Sequence, residues 1–123
     1  MKRLGEKMRR ILIVDDEKEM CNVLSQFFQA EGFQVDLAYD AFDALAKTKL
    51  NKYKYVLVDL VLPGSMNGID IIRRVKKHSP STRIIAYSGF CDLDITDRVI
   101  SAGANNFIPK PFKQKELARL MRL

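Results

Sequence analysis

Short apolar runs punctuate the chain, and between them apolar residues recur at helical spacing. Ile11-Leu12-Ile13-Val14, entered from Arg10, ends in Asp15-Asp16-Glu17. In YKYVLVDLVLPG, residues 53–64, the run Val56-Leu57-Val58 stops at Asp59, and Leu60-Val61-Leu62 leads into Pro63-Gly64. Arg83-Ile84-Ile85-Ala86-Tyr87 stops at Ser88-Gly89, and the shorter Asn106-Phe107-Ile108-Pro109 precedes Lys110-Pro111-Phe112. A continuous apolar run closed by turn residues predicts a strand buried on both faces. Val35, Leu37 and Tyr39 instead alternate with Gln34, Asp36 and Ala38, which predicts a strand nearer an edge.

The intervening segments carry the helical period. Met20, Leu24, Phe27 and Phe28, with Val23 beside them, predict a helix over 17–31 that stops at Gly32. Asp40 is placed to cap a helix over about 41–51 with the stripe Ala41, Ala44, Leu45 and Thr48. Ile69, Ile72 and Val75 mark a helix over 68–78, closed by Ser79-Pro80. Ile95, Val99 and Ile100 are expected to face inward from a helix over 92–102, and Leu117, Leu120 and Met121 from a last helix opening near Lys113. Strand-then-helix five times predicts an α/β fold, a doubly wound five-stranded parallel sheet covered on both faces. Right-handed crossovers then bring every strand's C-terminal end to one edge, where open α/β sheets bind ligands.

Composition narrows the class. A length of 123 residues suits one domain, and 47% hydrophobic with 29% charged residues is an ordinary globular balance. Nothing approaches the roughly 20 apolar residues of a membrane span, and no apolar stretch follows the basic start as in a secretory signal, so a cytoplasmic location is expected. Cys21 and Cys91 are too few for a disulfide framework and read as buried thiols. The net charge of +6 sits at the ends: residues 1–10 carry +4, residues 113–123 carry +3, and the middle carries −1. Residues 1–9 read as a flexible basic leader and 10–123 as the domain. Without interleaved aromatics or a reader motif, the basic ends predict no direct nucleic-acid binding.

The strand ends hold the chemistry. Asp15 and Asp16 follow the first strand, Asp59 the third, Ser88 the fourth and Lys110 the fifth; the second offers only the capping Asp40. Three carboxylates on one edge repel, and one would protonate unless a cation held them. All-oxygen ligands with room for water suit Mg²⁺ or Mn²⁺ rather than zinc. A hard cation beside a carboxylate is equipment for phosphoryl transfer, in which an aspartate oxygen attacks phosphorus. Lys110 would add positive charge and Ser88 a hydroxyl donor. The blander alternatives are a salt-bridged core Asp59, a helix-capping Asp15-Asp16-Glu17 group, a solvated Lys110, plain core packing for Phe107 and an exposed helix-end His78.

With these residues in view, the chain resembles a response-regulator receiver domain of two-component signalling. The matching pieces are ILIVDDE at 11–17, VLVDLVLPG at 56–64 with MNG at 66–68, IIAYSG at 84–89 and GANNFIPKPF at 103–112. The resemblance implies a (βα)5 flavodoxin-like fold with strand order 2-1-3-4-5. It implies Asp59 as phosphoacceptor, and Asp15, Asp16, Asp59 and the backbone carbonyl of Val61 as metal ligands. Ser88 and Phe107 would be the switch residues, Lys110 the phosphoryl-binding lysine, and Lys110-Pro111 a cis bond. The implied partners are a sensor histidine kinase or phosphotransfer protein and a second copy, bound through the fourth helix, fifth strand and fifth helix. The chain departs from the family pattern in a loop one residue longer at 63–68, in Gly89 where Ala is commoner, and in Phe107, which lacks a phenol hydroxyl. An Asp-nucleophile phosphatase of the haloacid dehalogenase type would want an acid two residues after Asp59, where Val61 stands. A receiver-fold module that signals without phosphorylation is the remaining alternative.

Overall fold

A computed structural model of the chain describes residues 9–89 and 92–122. Its elements are β1 (Arg9–Val14), α1 (Lys18–Ala30), β2 (Phe33–Ala38), α2 (Ala41–Leu50), β3 (Tyr55–Asp59), α3 (Gly68–His78), β4 (Arg83–Ser88), α4 (Leu93–Ala102), β5 (Asn106–Pro109) and α5 (Gln114–Leu120). The strands are parallel in the order β2-β1-β3-β4-β5.

Strand parity builds the two cores, because successive side chains leave opposite faces of a sheet. Leu12, Val14, Val56, Val58, Ile84 and Ala86 point to one face and pack with Ala44 of α2, Ile72 and Val75 of α3 and Val99 of α4. Ile11, Ile13, Leu57, Ile85, Tyr87 and Ile108 point to the other and pack with Leu24 and Phe28 of α1 and Leu117 of α5. Each fully buried aliphatic side chain contributes roughly 1.5–3 kcal/mol.

Local signals behave as the sequence predicts at most boundaries. Asp40 accepts the Asp43 N–H at 2.8 Å, and Gly32 and Gly103 end their helices at φ +93° and +122°. Lys110-Pro111 is cis. One inward assignment fails, and the alternation expected of the second strand ends one residue early. Ile100 is 45% exposed because Val99, one helical step away, takes the core position while Ile95 and Ala102 flank it. Tyr39 lies beyond the end of β2 and is 39% exposed, with the Lys18 ammonium 5.7 Å from its ring centroid. Cys21 is buried as a free thiol; Arg9, assigned to the leader over 1–9, instead opens β1 opposite Phe33, and Phe90, Cys91 and residues 1–8 lie outside the described residues. No helix among the described residues is long and apolar enough to cross a membrane.

The register fixes the rim. Val14 pairs with Val58, Asp59 with Tyr87 and Ser88 with Pro109, so the residues that follow share one level. The chain leaves β3 for α3 through a tight return. Asn67 caps α3 in a reciprocal pair with Asp70, and the Gly68 N–H donates to the Leu60 carbonyl at 3.2 Å. A Cβ on Gly68 would lie 2.6 Å from the Asp59 carbonyl oxygen and 2.7 Å from the Leu60 Cα. Both are backbone atoms that cannot swing away. Gly68→Ala is therefore expected to lower stability by about 1–3 kcal/mol in urea unfolding. An unchanged midpoint would mean the return is looser than this packing implies.

Candidate functional site

Asp59 is the last residue of β3 and is 4% exposed. Its Oδ1 accepts the Val61 N–H at 3.0 Å, and its Oδ2 accepts from Lys110 Nζ at 2.9 Å. Lys110 comes from the far side of the sheet, just after β5, and its backbone N–H donates to the Ser88 carbonyl at 2.8 Å. The same ammonium reaches Glu17 Oε1 at 3.2 Å. Burial pushes Lys110 toward lower pKa, but the hydrogen bonds to Asp59 and Glu17 and the charges of Asp59 and Asp15 outweigh it and hold the ammonium above its ordinary value.

Asp15 is fully buried behind this pair. Its Oδ1 accepts the Glu17 N–H at 2.9 Å and its Oδ2 accepts the Tyr87 hydroxyl at 2.6 Å. Burial raises its carboxyl above the usual range, and the charge of Asp59 adds to this; the two hydrogen bonds and Lys110 oppose it without cancelling it. Tyr87 is pushed well above an ordinary phenol, first by burial and then by Asp15, so it stays a proton donor. Cys21, whose thiol meets the Asp15 carbonyl at 3.2 Å, is pushed up to about 11 by burial and by the neighbouring acids.

One carboxylate oxygen each from Asp15, Glu17 and Asp59 lie within 4.8 Å of one another. Three carboxylates beside one ammonium leave two negative charges in that space. Oxygen-only donors, that charge and the adjoining cavity of about 610 Å³ fit a hard divalent cation that keeps some of its water. Asp16 and Val61 line the same cavity. Asp16 and Glu17 are both exposed, and it is a Glu17 oxygen that comes within 4.8 Å of those of Asp15 and Asp59.

Ser88, at the end of β4, is buried and lines a second cavity of about 330 Å³ with Leu60, Val61, Asn67 and Ile95. Val61 walls both cavities. Phe107 is half-buried against the α3 and α4 side of the core. The structure thus brings together Asp15, Asp59 and Lys110, sets Asp16 at the rim, places Ser88 in the second cavity beside Val61, and leaves Phe107 packed against the α3 and α4 side of the core. Sequence reasoning gave no role in the site to Glu17, read only as part of a capping group, or to Tyr87, read only as core. The one available signal was a phenol at the last core position of a strand that ends among acids.

The model of the response regulator receiver domain family matches residues 11–122, and the chain belongs to that family. The response regulator ArlR of Staphylococcus saprophyticus is 33% identical over 117 residues, covering 94% of this chain and 51% of that protein. The chain spans about half the length of the curated relatives it matches. Among solved structures, a CheY-like receiver domain protein from Methanospirillum hungatei aligns with a TM-score of 0.89 at 29% identity, covering 94% of this chain and 92% of that one. A response regulator protein from Burkholderia pseudomallei, solved with a phosphorylated aspartic acid, a calcium ion and citrate, aligns with a TM-score of 0.84 at 26% identity, covering 91% and 66%.

The raised carboxyl of Asp15 sets a sign. The folded chain holds this proton to higher pH than the unfolded chain does, so the unfolded state binds fewer protons in that window. Metal-free stability should therefore fall as pH rises from about 4, the ordinary aspartate value, through the raised folded value. Asp15→Asn should remove this fall and leave the metal-free domain more stable than the parent at the alkaline end of the range. Urea unfolding in EDTA from pH 4 to 8 checks both. A variant less stable than the parent throughout would mean the Asp15 hydrogen bonds outweigh the cost of burying its charge.

Proposed function

We propose that this receiver domain takes a phosphoryl group onto Asp59 from a histidine kinase or phosphotransfer protein. The reading rests above all on one arrangement: Asp59 Oδ2 lies 2.9 Å from Lys110 Nζ while its carboxylate shares a 4.8 Å space with Asp15 and Glu17. A nucleophilic carboxylate, a fixed cation and a cation site on one rim suit phosphoryl transfer better than core stabilisation.

Mg²⁺, or Mn²⁺, would be held by Asp15, Asp16, Asp59 and the carbonyl of Val61, with Glu17 as a further oxygen at the rim. When bound, that ion neutralises charge on the phosphoryl oxygens. An Asp59 oxygen attacks the phosphorus of phosphohistidine. The new O–P bond forms as the P–N bond breaks, and its electron pair leaves on the imidazole, which takes up a proton. Lys110 follows the transferred oxygens, and the Ser88 hydroxyl donates to one of them. As Ser88 moves toward the phosphoryl group, Phe107 repacks behind it, and the face formed by α4, β5 and α5 changes shape to bias an output or a homodimer. The phosphorylated aspartic acid of the Burkholderia relative supports the nucleophile.

The domain is a switch rather than an enzyme with turnover, and its acyl phosphate is lost slowly by hydrolysis. Val61, 54% exposed at the mouth of the cavity, is apolar where water must approach. Phe90, the other apolar group invoked for this, lies outside the described residues. A cytoplasmic setting follows from the kinase partner.

Acetyl phosphate with Mg²⁺ should slow the chain's migration on a phosphate-affinity gel. Asp59→Asn should abolish the shift, EDTA should suppress it, and Lys110→Ala should reduce its rate by about 100-fold, as removal of a transition-state donor does elsewhere. An Asp59→Asn protein that still shifts would move the phosphoacceptor elsewhere, and a parent that never shifts would favour signalling without phosphorylation. Separately, Val61→Asn should shorten the phosphoryl lifetime several-fold; equal decay curves would remove the apolar-shield idea.

A further inference from the structure

We propose that Tyr87 is a positioning residue for the divalent-cation site, its hydroxyl holding the Asp15 carboxylate in the orientation that receives the ion. The proposal rests on the phosphoryl-switch reading above and adds to it a residue on the sheet face opposite Ser88.

Tyr87 and Asp15 are both fully buried. The sheet core alone gives no reason for a hydroxyl here, since the ring packs among Ile11, Ile13, Leu57 and Ile85 as a phenylalanine would. The hydroxyl instead meets Asp15 Oδ2 at 2.6 Å, while the Glu17 N–H meets Oδ1 at 2.9 Å. Donors from two separate segments thus take one lone pair on each oxygen. The carboxylate cannot rotate without breaking one of them, so its remaining lone pairs stay fixed. A carboxylate that is already oriented need not lose that freedom when a cation arrives.

The ring is placed as deliberately as the hydroxyl. Tyr87 is the register partner of Asp59, so it stands at the level of the cluster. Lys110 Nζ sits 5.2 Å from its ring centroid, and Phe112 meets it edge-on at 5.3 Å. One side chain therefore touches the innermost acid of the cluster and the lysine that faces Asp59. The chain also carries a matched comparison: the Tyr53 hydroxyl donates to Asp36 Oδ2 at the same 2.6 Å, in a network with Arg10 and Asn51 that holds the other end of the strands. Both bonds satisfy a carboxylate, and only one faces the cation site.

The test is Mn²⁺ binding by electron paramagnetic resonance, with Mg²⁺ titration by calorimetry, on unphosphorylated parent, Tyr87→Phe and Tyr53→Phe proteins. Tyr87→Phe keeps the ring beneath Lys110 and removes only the hydroxyl. It should weaken both ions about tenfold, within the range seen for partners that orient metal ligands. Tyr53→Phe should lower thermal stability and leave both affinities unchanged. Equal affinities for parent and Tyr87→Phe would overturn the proposal while leaving the cation site standing. A parent that binds neither ion would remove the cation site and the proposal with it. Should Tyr87→Phe fail to fold, the parent still decides: Mg²⁺ must shift the Tyr87 ring resonances by NMR and leave those of Tyr53 in place, and a Tyr87 ring indifferent to saturating Mg²⁺ overturns the proposal.

Discussion

Repulsion among carboxylates at the C-terminal rim of the sheet is the constraint to which the rest of this chain answers. Asp15 and Asp59 follow paired residues of β1 and β3, so the register itself forces them together. These strands flank the point where the chain, having added β2 on one side of β1, continues on the other, and such a point opens a crevice. The fold cannot relieve the crowding by moving one acid without slipping a buried strand, which would turn its apolar side chains to the wrong faces. Relief comes instead from donors: Lys110, the Val61 and Glu17 amides and the Tyr87 hydroxyl. They do not cancel the cost of burial, which, with the charge of Asp59 adding to it, keeps the Asp15 carboxyl above its ordinary range. A divalent ion held there, as proposed, would offset the remaining negative charge.

Strand parity divides the consequences between two faces. Tyr87 and Ser88 are neighbours at the end of β4, so one turns to the α1 and α5 side and the other to the cavity beside α4. Charge arriving at Asp59 is thus felt on both faces by adjacent residues of one strand. The proposed Ser88 movement acts on the α4 side; Tyr87, locked to Asp15 and edge-on to Phe112, anchors the other. A switch needs a moving part and a part that does not move, and on the proposed reading β4 would supply both within two residues.

Much of this was legible in the chain. Apolar runs that stop at Asp15, Asp59, Ser88 and Lys110 give the strand ends, and crossover handedness gives their common edge. Periodicity was less reliable where two apolar residues compete for one helical position, as Val99 and Ile100 do, because a 100° step leaves only one of them facing the core. It was silent on partners. Nothing in ILIVDDE says that the third acid, not the second, brings an exposed carboxylate within reach of Asp59 and Lys110, since that depends on the helix entry and on where Lys110 ends. Nor does a tyrosine in a core run announce its hydroxyl's target, which lies 72 residues away in sequence.

The division of Lys110 between two acids bears on how easily the rim can rearrange. Its bond to Glu17 spans 3.2 Å to a side chain that is 62% exposed, a setting in which an ion pair contributes at most about 1 kcal/mol. Its bond to Asp59 spans 2.9 Å to a carboxylate only 6% exposed, where losing the partner would strand a charge. The lysine therefore holds firmly to the proposed nucleophile and loosely to the rim. A phosphoryl group on Asp59 would offer it more negative charge from the same direction, so Lys110 could follow that group while giving up only the weak contact. Glu17 would then be freed at the mouth of the cavity, an oxygen donor released just as more positive charge is needed there. On this argument the acid that sequence reasoning passed over is the adjustable member of the cluster, and the buried pair of Asp15 and Asp59 is its fixed frame.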